Sequence, residues 1–148
     1  MRTLIAAVLA FLSLHAAAAD LAPRDATAIN LASRDVAAIR DVIERQMEAF
    51  RRDDGAAAFA LATDGIRQRF GSAATFLDMV RRAYPVVYKP GSVQFEKPET
   101  IEGTIVQPVR LTDAEGRAWL ALYPMQRLPD GQWRINGCQL SRLAGRET

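Results

Sequence analysis

The chain has 148 residues, of which 49% are hydrophobic and 24% charged, and its formal net charge is +2. This length suits one domain with a sizeable core, and the near-neutral balance argues against nucleic-acid binding, which needs a concentrated basic face. A single cysteine, Cys138, excludes an internal disulfide, so packing has to stabilise the fold. A lone cysteine is more often a small buried hydrophobe than a reactive thiol or an interchain bridge, although both alternatives stay open.

The first 19 residues have the pattern of a secretory signal peptide. Arg2 precedes a short apolar run at residues 4–14, and small residues at positions 17 and 19 suit cleavage before Asp20. The run is shorter than the roughly 20 residues that span a bilayer, so we expect no stable membrane insertion after cleavage. The alternative is a buried N-terminal helix. We predict an exported protein, located in the periplasm or outside the cell.

Cleavage would leave a single α+β domain. We place a flexible or helical lead-in at residues 20–33, the domain at residues 34–143 and a tail at residues 144–148. Loss of Arg2 would lower the formal net charge from +2 to +1. Charged pairs four residues apart, such as Asp41 with Arg45, are typical of a solvated helix face.

Helical periodicity dominates the first half of the domain. Apolar residues three and four apart predict one inner face of a first helix, formed by Val36, Ile39, Ile43, Met47 and Phe50. Ser33 is predicted to cap this helix. Either Asp53 or Asp54 then caps a short helix of small residues, and Ser72 caps a third main helix. The third helix ends before Pro85, and its predicted inner face consists of Ala73, Phe76, Leu77, Val80 and Ala83.

The period changes to two after residue 91, which predicts strands. We expect four of them in a meander, near residues 92–97, 103–113, 116–128 and 131–143. Gly116 and Gly131 suit the hairpin turns between the later strands. Pro108 and Pro124 each lack a ladder donor and are expected at bulges or edges, and a glycine at position 137 inside the last strand is typical of a bulge. Helices followed by hairpins predict an antiparallel sheet with helices on one face.

Two stretches carry a resemblance to a known family. They are DVAAIRDVIERQMEAFRRDDGAAAFALATDGIRQRFGSAATFLDMVRRAYPVVYKP and VRLTDAEGRAWLALYPMQRLPDGQWRINGC, and they resemble the bacterial family called domain of unknown function 4864. The likeness runs from about Asp35 to Arg142. It implies the cone-shaped α+β roll of the nuclear-transport-factor-two-like, or SnoaL-like, superfamily, in which three main helices and a curved antiparallel sheet of about four strands enclose a pocket.

The resemblance implies no catalytic residues, because the family is named for its unknown activity. The wider superfamily includes isomerases, dehydratases, binding domains and assembly domains, so the fold alone does not select a function. Homodimerisation through the sheet face is frequent in the superfamily and is one role that the resemblance implies.

Catalytic chemistry is restricted by the loss of His15, the one histidine, with the signal peptide. This loss excludes Ser-His-Asp and Cys-His arrangements within one mature chain, and it removes the most common zinc ligand. No glycine-rich phosphate loop is present. We therefore expect no metal and no cofactor. Among the acids, Asp78 is predicted to be a surface residue and Asp64 a helix cap, while Glu96, Glu99 and Glu102 suggest a solvated loop.

The third predicted strand is apolar on both faces. One face consists of Trp119, Ala121, Tyr123 and Met125, and the other of Leu120, Leu122 and Pro124. One face should pack on the helices, and the other needs a pocket, a partner chain or a loop to cover it. The aromatic residues can be plain core or can line an apolar pocket with a few polar groups. We expect Tyr123 at a cavity, and Trp119 and Trp133 in the core.

The candidate ligand-binding residues are Tyr84, Tyr88, Arg110, Trp119 and Tyr123. The leading hypothesis is a non-catalytic exported module that binds a small apolar ligand, or a partner protein, in the cone or on the sheet face. The alternative is an enzyme of the isomerase or hydratase type that uses a buried carboxylate and a tyrosine. A buried acid beside a tyrosine hydroxyl in a closed cavity would favour the enzyme, and a flat exposed apolar sheet face would favour a partner protein or a homodimer.

Overall fold

The computed structural model describes residues 31–145, in which helices precede strands. The predicted signal peptide, the predicted lead-in before residue 31 and residues 146–148 lie outside the described residues. The helices are α1 (Ser33–Arg51), α2 (Gly55–Ala60), α3 (Asp64–Phe70), α4 (Ala73–Ala83) and α5 (Pro85–Tyr88). The strands are β1 (Ser92–Phe95), β2 (Glu99–Ile101), β3 (Thr104–Thr112), β4 (Ala118–Arg127), β5 (Trp133–Ile135) and β6 (Gln139–Arg142). Within residues 31–145, no helix has the length and apolar character needed to cross a membrane.

The six strands form one antiparallel sheet that is four strands wide, because two short strands follow one another along each edge. β3 and β4 pair at its centre, β1 and β2 share the free edge of β3, and β5 and β6 share the other edge, along β4. The sheet curls into a half-barrel against which the helices pack. The predicted α+β roll with helices on one face of an antiparallel sheet is therefore confirmed. β2 was not expected, because Glu99 lies in a charged stretch that predicted a loop.

A β-bulge divides each edge position of the sheet into two short strands. Residues 136–138 oppose residues 123–124 of β4, and residues 96–98 oppose residues 107–108 of β3. One extra residue therefore lies in each edge strand, and the two bulges lie at the same level because Gln107 pairs with Tyr123 across the sheet centre. Extra residues increase strand bending, which fits the curl of this sheet.

Both prolines of the central strands lie at these bulges, as predicted. The carbonyl of Pro108 accepts a hydrogen bond from the backbone N–H of Glu96 at 3.1 Å, and that of Pro124 accepts one from Asn136 at 2.8 Å. The buried side chain of Gln107 also donates from Nε2 to the carbonyl of Glu96 at 2.7 Å. These bonds pair backbone carbonyls at positions where a proline or an extra residue interrupts the regular ladder.

The core lies between α1, α4 and the helix-facing side of the sheet. The predicted inner faces of the two helices are buried at Ile39, Ile43, Met47, Phe50, Phe76, Leu77 and Val80. The sheet contributes Ile105, Val109, Leu111, Ala121, Tyr123, Met125, Trp133 and Ile135. Three predicted inner-face residues are less covered: Val36 and Ala73 are half-buried and Ala83 is exposed. All three lie near the ends of their helices, beyond the part of each helix that the core covers.

Two of the helix caps predicted from the sequence are wrong, and a third is confirmed. Ser33 does not cap α1, because Ala32 occupies the N-cap position without a side-chain hydrogen bond. Asp64 does not cap α3 either, since Thr63 is the N-cap and accepts a hydrogen bond from the N–H of Ile66. Asp54 caps α2 by accepting a hydrogen bond from Ala57, which selects between the two aspartates predicted for that role.

The end of α4 is also where the structure adds a helix. Ser72 caps the start of α4, as predicted, and the helix ends at Ala83. Pro85 then occupies the first turn of α5, where its missing N–H has no helical partner to lose. This one-turn helix buries Val86 and Val87 against the core.

The face of the sheet away from the helices is apolar as well. Val106 and Pro108 of β3 are buried, and Leu120, Leu122 and Pro124 of β4 are half-buried. They alternate along each strand with the helix-facing residues, as side chains on a strand must. β4 therefore has two apolar faces, as its sequence predicted.

Candidate functional site

A cavity of about 430 Å³ lies between the helices and the sheet. Its walls come from α1, α3, α4, α5, β4, β5 and the bulge that follows β5. The helical wall is mainly Phe50, Ile66, Phe70, Phe76, Met79 and Val80, and the sheet contributes Tyr123, Ile135, Gly137 and Cys138. Apolar groups predominate on both sides, which is the usual character of small-molecule sites.

An aromatic cluster centred on Phe76 builds the helical wall. Its ring centroid lies 5.9 Å from that of Phe50, 5.4 Å from that of Phe59 and 5.5 Å from that of Phe70. Rings at these separations and tilted to one another interact favourably beyond their burial alone. The cluster joins α1, α2, α3 and α4, so one side of the cavity is held by contacts between four helices.

Tyr123 brings an unpaired polar atom to the sheet wall. The residue is 1% exposed, and its hydroxyl makes no hydrogen bond of normal geometry among the described residues. Its polar neighbour is the thiol of Cys138, which is only a weak donor or acceptor. Burial raises the pKa of this hydroxyl well above its usual range, and the neighbouring Cys138 thiol raises it further. Tyr123 therefore stays protonated and can donate a hydrogen bond.

Cys138 lies in the bulge beside Tyr123 and also lines the cavity. Burial raises the pKa of its thiol to about 12, although the nearby Tyr123 hydroxyl acts in the opposite direction. Only the thiolate is a strong nucleophile, so this thiol is unreactive at neutral pH. The deep wall of the cavity is thus uncharged.

Three other lining residues carry polar groups. Gln46 is buried on α1, and its Nε2 donates to the carbonyl of Ala58 at 3.1 Å. Tyr84 is half-buried at the junction of α4 and α5. Arg69 is exposed on α3 and makes no ion pair with another described residue. It is the one charged side chain among the described lining residues, so charge lies at the solvent-facing mouth of the cavity.

A family model described as Domain of unknown function (DUF4864) matches residues 32–148. The chain belongs to this family. The match covers every described helix and strand, so cavity and sheet both belong to the DUF4864 domain. No curated protein matches the chain. The family description names no activity, and a function has to be argued from the site.

Two of the five predicted ligand-binding residues line the cavity of this DUF4864 domain, namely Tyr84 and Tyr123. The structure places the other three elsewhere. Arg110 is exposed on the face of the sheet away from the helices and pairs with Glu96. Trp119 is half-buried near the β3–β4 hairpin, where its Nε1 donates to Asp113 at 3.0 Å.

Tyr88, the remaining candidate, lies outside the cavity on the surface between α1 and α4. Its hydroxyl donates to Asp53 and accepts from Arg81 Nε at 3.3 Å. Arg81 Nη2 also pairs with Asp53 at 3.0 Å, and both side chains are well exposed. This group is an acid–tyrosine pair, but solvent reaches it and a guanidinium neutralises the acid.

Sequence reasoning missed Gln46, Arg69 and Cys138 as lining residues. Gln46 interrupts an otherwise apolar helix face, and this interruption is a signal that the sequence contains. Cys138 directly follows the predicted bulge, which was a second signal. Arg69 carries no comparable signal, because its spacing from Ile66 and Phe70 does not distinguish the cavity mouth from open solvent.

Acidic residues are absent from the described part of the cavity wall. Asp78, predicted as a surface acid, is exposed and pairs with Arg82 at 3.1 Å. Within residues 31–145 no three acidic, histidine or cysteine side chains are grouped so as to hold a metal ion. The described site can therefore offer hydrogen bonds, apolar contacts and one cation.

Proposed function

We propose that this DUF4864 domain is a non-catalytic module that binds a small apolar molecule in the cavity between its helices and its sheet. The observation that carries the proposal is the apolar cavity of about 430 Å³, which is lined in part by Tyr123, a residue with a buried, unpaired hydroxyl. Ligand sites commonly measure roughly 300–1,000 Å³ and combine apolar walls with a few polar groups. A cavity near the lower limit suits a small molecule.

The Tyr123 hydroxyl supports this proposal on energetic grounds. A buried polar group without a partner costs about 1–3 kcal/mol, so it is rare in folded proteins unless something compensates for it. In the ligand-free structure the hydroxyl is sealed from a water-sized probe, so a ligand oxygen has to displace a lining side chain before it can supply the missing acceptor. Protein stability would gain from ligand binding in the usual way, since the ligand binds only the folded state.

The isomerase or hydratase alternative receives less support. It needs a carboxylate and a tyrosine together inside the cavity, because burial is what makes a carboxylate a useful base near neutral pH. The acid–tyrosine pair of the described chain is Asp53 with Tyr88, which lies on the surface beside Arg81. Tyr123 has no acid beside it in the described wall.

A neutral fluorescent probe, N-phenyl-1-naphthylamine, tests the proposal directly. Its fluorescence should rise on mixing with the native protein and not with the urea-unfolded chain. Ala83→Trp should abolish the rise, because Ala83 is exposed and lines the cavity mouth. Ala74→Trp is the matched control, since Ala74 is exposed on the same helix and does not line the cavity. Equal probe binding by both variants, or none by the wild type, would refute the cavity as the site.

The sheet face away from the helices favours a second role, docking of a partner chain. Its apolar residues on β4, Leu120, Leu122 and Pro124, are half-buried rather than covered. We infer homodimerisation as the simplest use of this face, since like faces can pair symmetrically. Sedimentation of the wild type should then show a dimer, and Leu122→Glu should sediment as a monomer. A wild-type monomer at high protein concentration would contradict this role.

We also propose that the domain belongs to the nuclear-transport-factor-two-like superfamily and acts after export. The order of helices before a curled antiparallel sheet, with a cavity between the two layers, supports the superfamily assignment. Export is supported by the pattern of residues 1–19 alone.

A further inference from the structure

The cavity mouth carries a positive charge without a described counter-charge. Arg69 on α3 makes no ion pair with another described residue, whereas its neighbour two positions earlier, Arg67, pairs with Asp64. The arginines of the neighbouring helix α4 are paired as well: Arg81 pairs with Asp53, and Arg82 pairs with Asp78. Arginine is thus neutralised nearby but not at the mouth.

The rest of the cavity wall offers no partner for a charged group of a ligand. Tyr123 is buried and Cys138 is half-buried, both groups are neutral, and the described lining contains no acid to receive a cationic ligand. A ligand that enters with an apolar body would place any charged group at the mouth, where water and Arg69 remain available. Arginine binds carboxylates and phosphates alike in a planar, two-bond geometry. A carboxylate is the better match here, because its single charge is neutralised by one guanidinium, whereas a phosphate monoester carries about −1.5 to −2 charges.

We propose that the ligand is an amphipathic carboxylic acid, whose carboxylate pairs with Arg69 at the cavity mouth and whose apolar body fills the space lined by Phe50, Phe76 and Met79. This inference rests on the proposed function, because it assigns a chemical class to the molecule that the cavity binds. Arg69 is then a specificity-determining residue, which selects acids over neutral molecules of the same shape.

Decanoate and 1-decanol test this assignment, because they share an alkyl chain and differ in the charged group. Both are titrated at pH 7 against protein that holds N-phenyl-1-naphthylamine, and their Kd values follow from loss of probe fluorescence. The wild type should bind decanoate about fivefold more tightly than decanol, the upper part of the range for an exposed ion pair. Added salt of about 0.5 M should shrink this ratio, since it screens exposed charges.

Two variants locate the effect. Arg69→Gln should weaken decanoate binding until its Kd matches that of decanol in the same variant. Arg67→Gln removes the same charge from the same helix without touching the cavity, so it should retain the preference for decanoate.

The outcomes separate this inference from the proposed function. Equal Kd values for both compounds in the wild type, or a preference that survives Arg69→Gln, would overturn the assignment of Arg69 and leave the apolar cavity as a binding site. Failure of the probe, decanoate and decanol alike to bind would overturn both.

Discussion

Tyr123 combines two roles within one side chain. Its ring packs in the core on β4 and lines the cavity, while its hydroxyl is buried without a hydrogen-bond partner among the described residues. Burial of the ring stabilises the fold by an amount on the order of 1.5–3 kcal/mol, and the unpaired hydroxyl reverses about 1–3 kcal/mol of that gain. A residue with such opposed contributions is costly to keep unless the hydroxyl has a use.

Tyr123→Phe should leave the ligand-free protein as stable as the wild type, or raise its free energy of unfolding by about 1 kcal/mol. The change removes an unpaired hydroxyl and keeps the ring. Tyr88→Phe is the control, because it removes a hydroxyl with two partners and should cost up to about 1 kcal/mol. Urea unfolding measures both. A loss of more than 1 kcal/mol in Tyr123→Phe would mean that the hydroxyl has a hydrogen-bond partner in solution.

Cys138 should react slowly and report on the cavity. With a pKa of about 12, its thiol carries little thiolate at pH 7.5, and alkylation by iodoacetamide should be about a thousandfold slower than for a free cysteine. The rate should keep rising about tenfold per pH unit up to pH 10, and bound decanoate should slow it further. Mass spectrometry of the single cysteine measures the rate, with the urea-unfolded chain as control. A plateau near pH 9 would contradict the raised pKa of this thiol.

At the scale of the element, the two central strands determine the shape of the site. β3 and β4 are long and continuous, whereas each of their outer neighbours is divided by a bulge. The bulge between β5 and β6 brings Gly137 and Cys138 to the cavity wall. The edge strand therefore bends where the cavity lies, and the same extra residue provides both the bend and part of the lining.

Gly137 is the residue on which this bulge depends. Its φ of 131° is one that side chains rarely adopt, although an added Cβ would meet only ordinary contact, at 3.7 Å from Pro124 Cγ. Gly137→Ala should therefore cost about 1–3 kcal/mol through its backbone alone. Gly65→Ala, at an exposed helical position where an added Cβ would meet only an ordinary contact, at 4.0 Å from Thr63 Oγ1, should be stabilising by up to about 1 kcal/mol. Thermal unfolding compares them, and equal effects of the two changes would contradict a strained bulge.

The carboxylate of Asp113 holds the β3–β4 hairpin together through hydrogen bonds. Partial burial raises the pKa of its carboxyl, but hydrogen bonds from Trp119, Arg117 and two backbone N–H groups outweigh burial and hold the pKa well below its usual range. The unfolded state therefore binds the proton more readily, so the stability from this carboxylate is present above about pH 4 and lost as the pH falls below that value.

Replacing Asp113 by Asn should reveal this pH dependence. Asp113→Asn should melt at a lower temperature than the wild type at pH 7, and the difference should shrink steadily between pH 4 and pH 2. Asp130→Asn, in the following hairpin, is the control, because its carboxylate accepts one described hydrogen bond, from the N–H of Gln132. Melting curves by circular dichroism suffice. A difference that stays constant down to pH 2 would show that the charge of Asp113 does not matter.

At the scale of the whole molecule, the cavity lies where residues of α3, α4 and α5 face β4, β5 and the bulge that follows β5. α1 packs along the sheet through Ile39, Ile43 and Phe50, which are fully covered. The chain after α2 is tied to the sheet edge instead, where Thr63 N donates to the carbonyl of Ile135 at 2.9 Å. The space between these two attachments is the cavity.

The proposed export concerns the whole molecule, and mass spectrometry can test it. Protein from the periplasm or the medium should begin at Asp20, because signal peptidases cleave after small residues such as those at positions 17 and 19. Leu9→Arg interrupts the apolar run and should retain the full chain in the cytoplasm. An intact Met1 form in the cytoplasm of wild-type cells, with none outside, would refute the prediction.

Local rules account for what the sequence determined by itself. The inner face of α1, the cap at Ser72 and the strand period were predicted, and Pro108 and Pro124 were expected at bulges or edges, of which the structure has bulges. Each of these expectations depends on residues within a few positions of one another. Helix and strand periods, caps and proline geometry act at that range. The α+β class followed from the order of these elements.

The tertiary structure alone decided where the cavity lies and which residues line it. Phe50, Arg69, Tyr123 and Cys138 meet there from four separate elements or loops, and Arg110, Tyr88 and Trp119 do not, although their residue types suited a site equally well. The reason is physical: a cavity is a gap between packed elements, and its existence depends on the distance and tilt between them. Periodicity within one element carries no information about that distance.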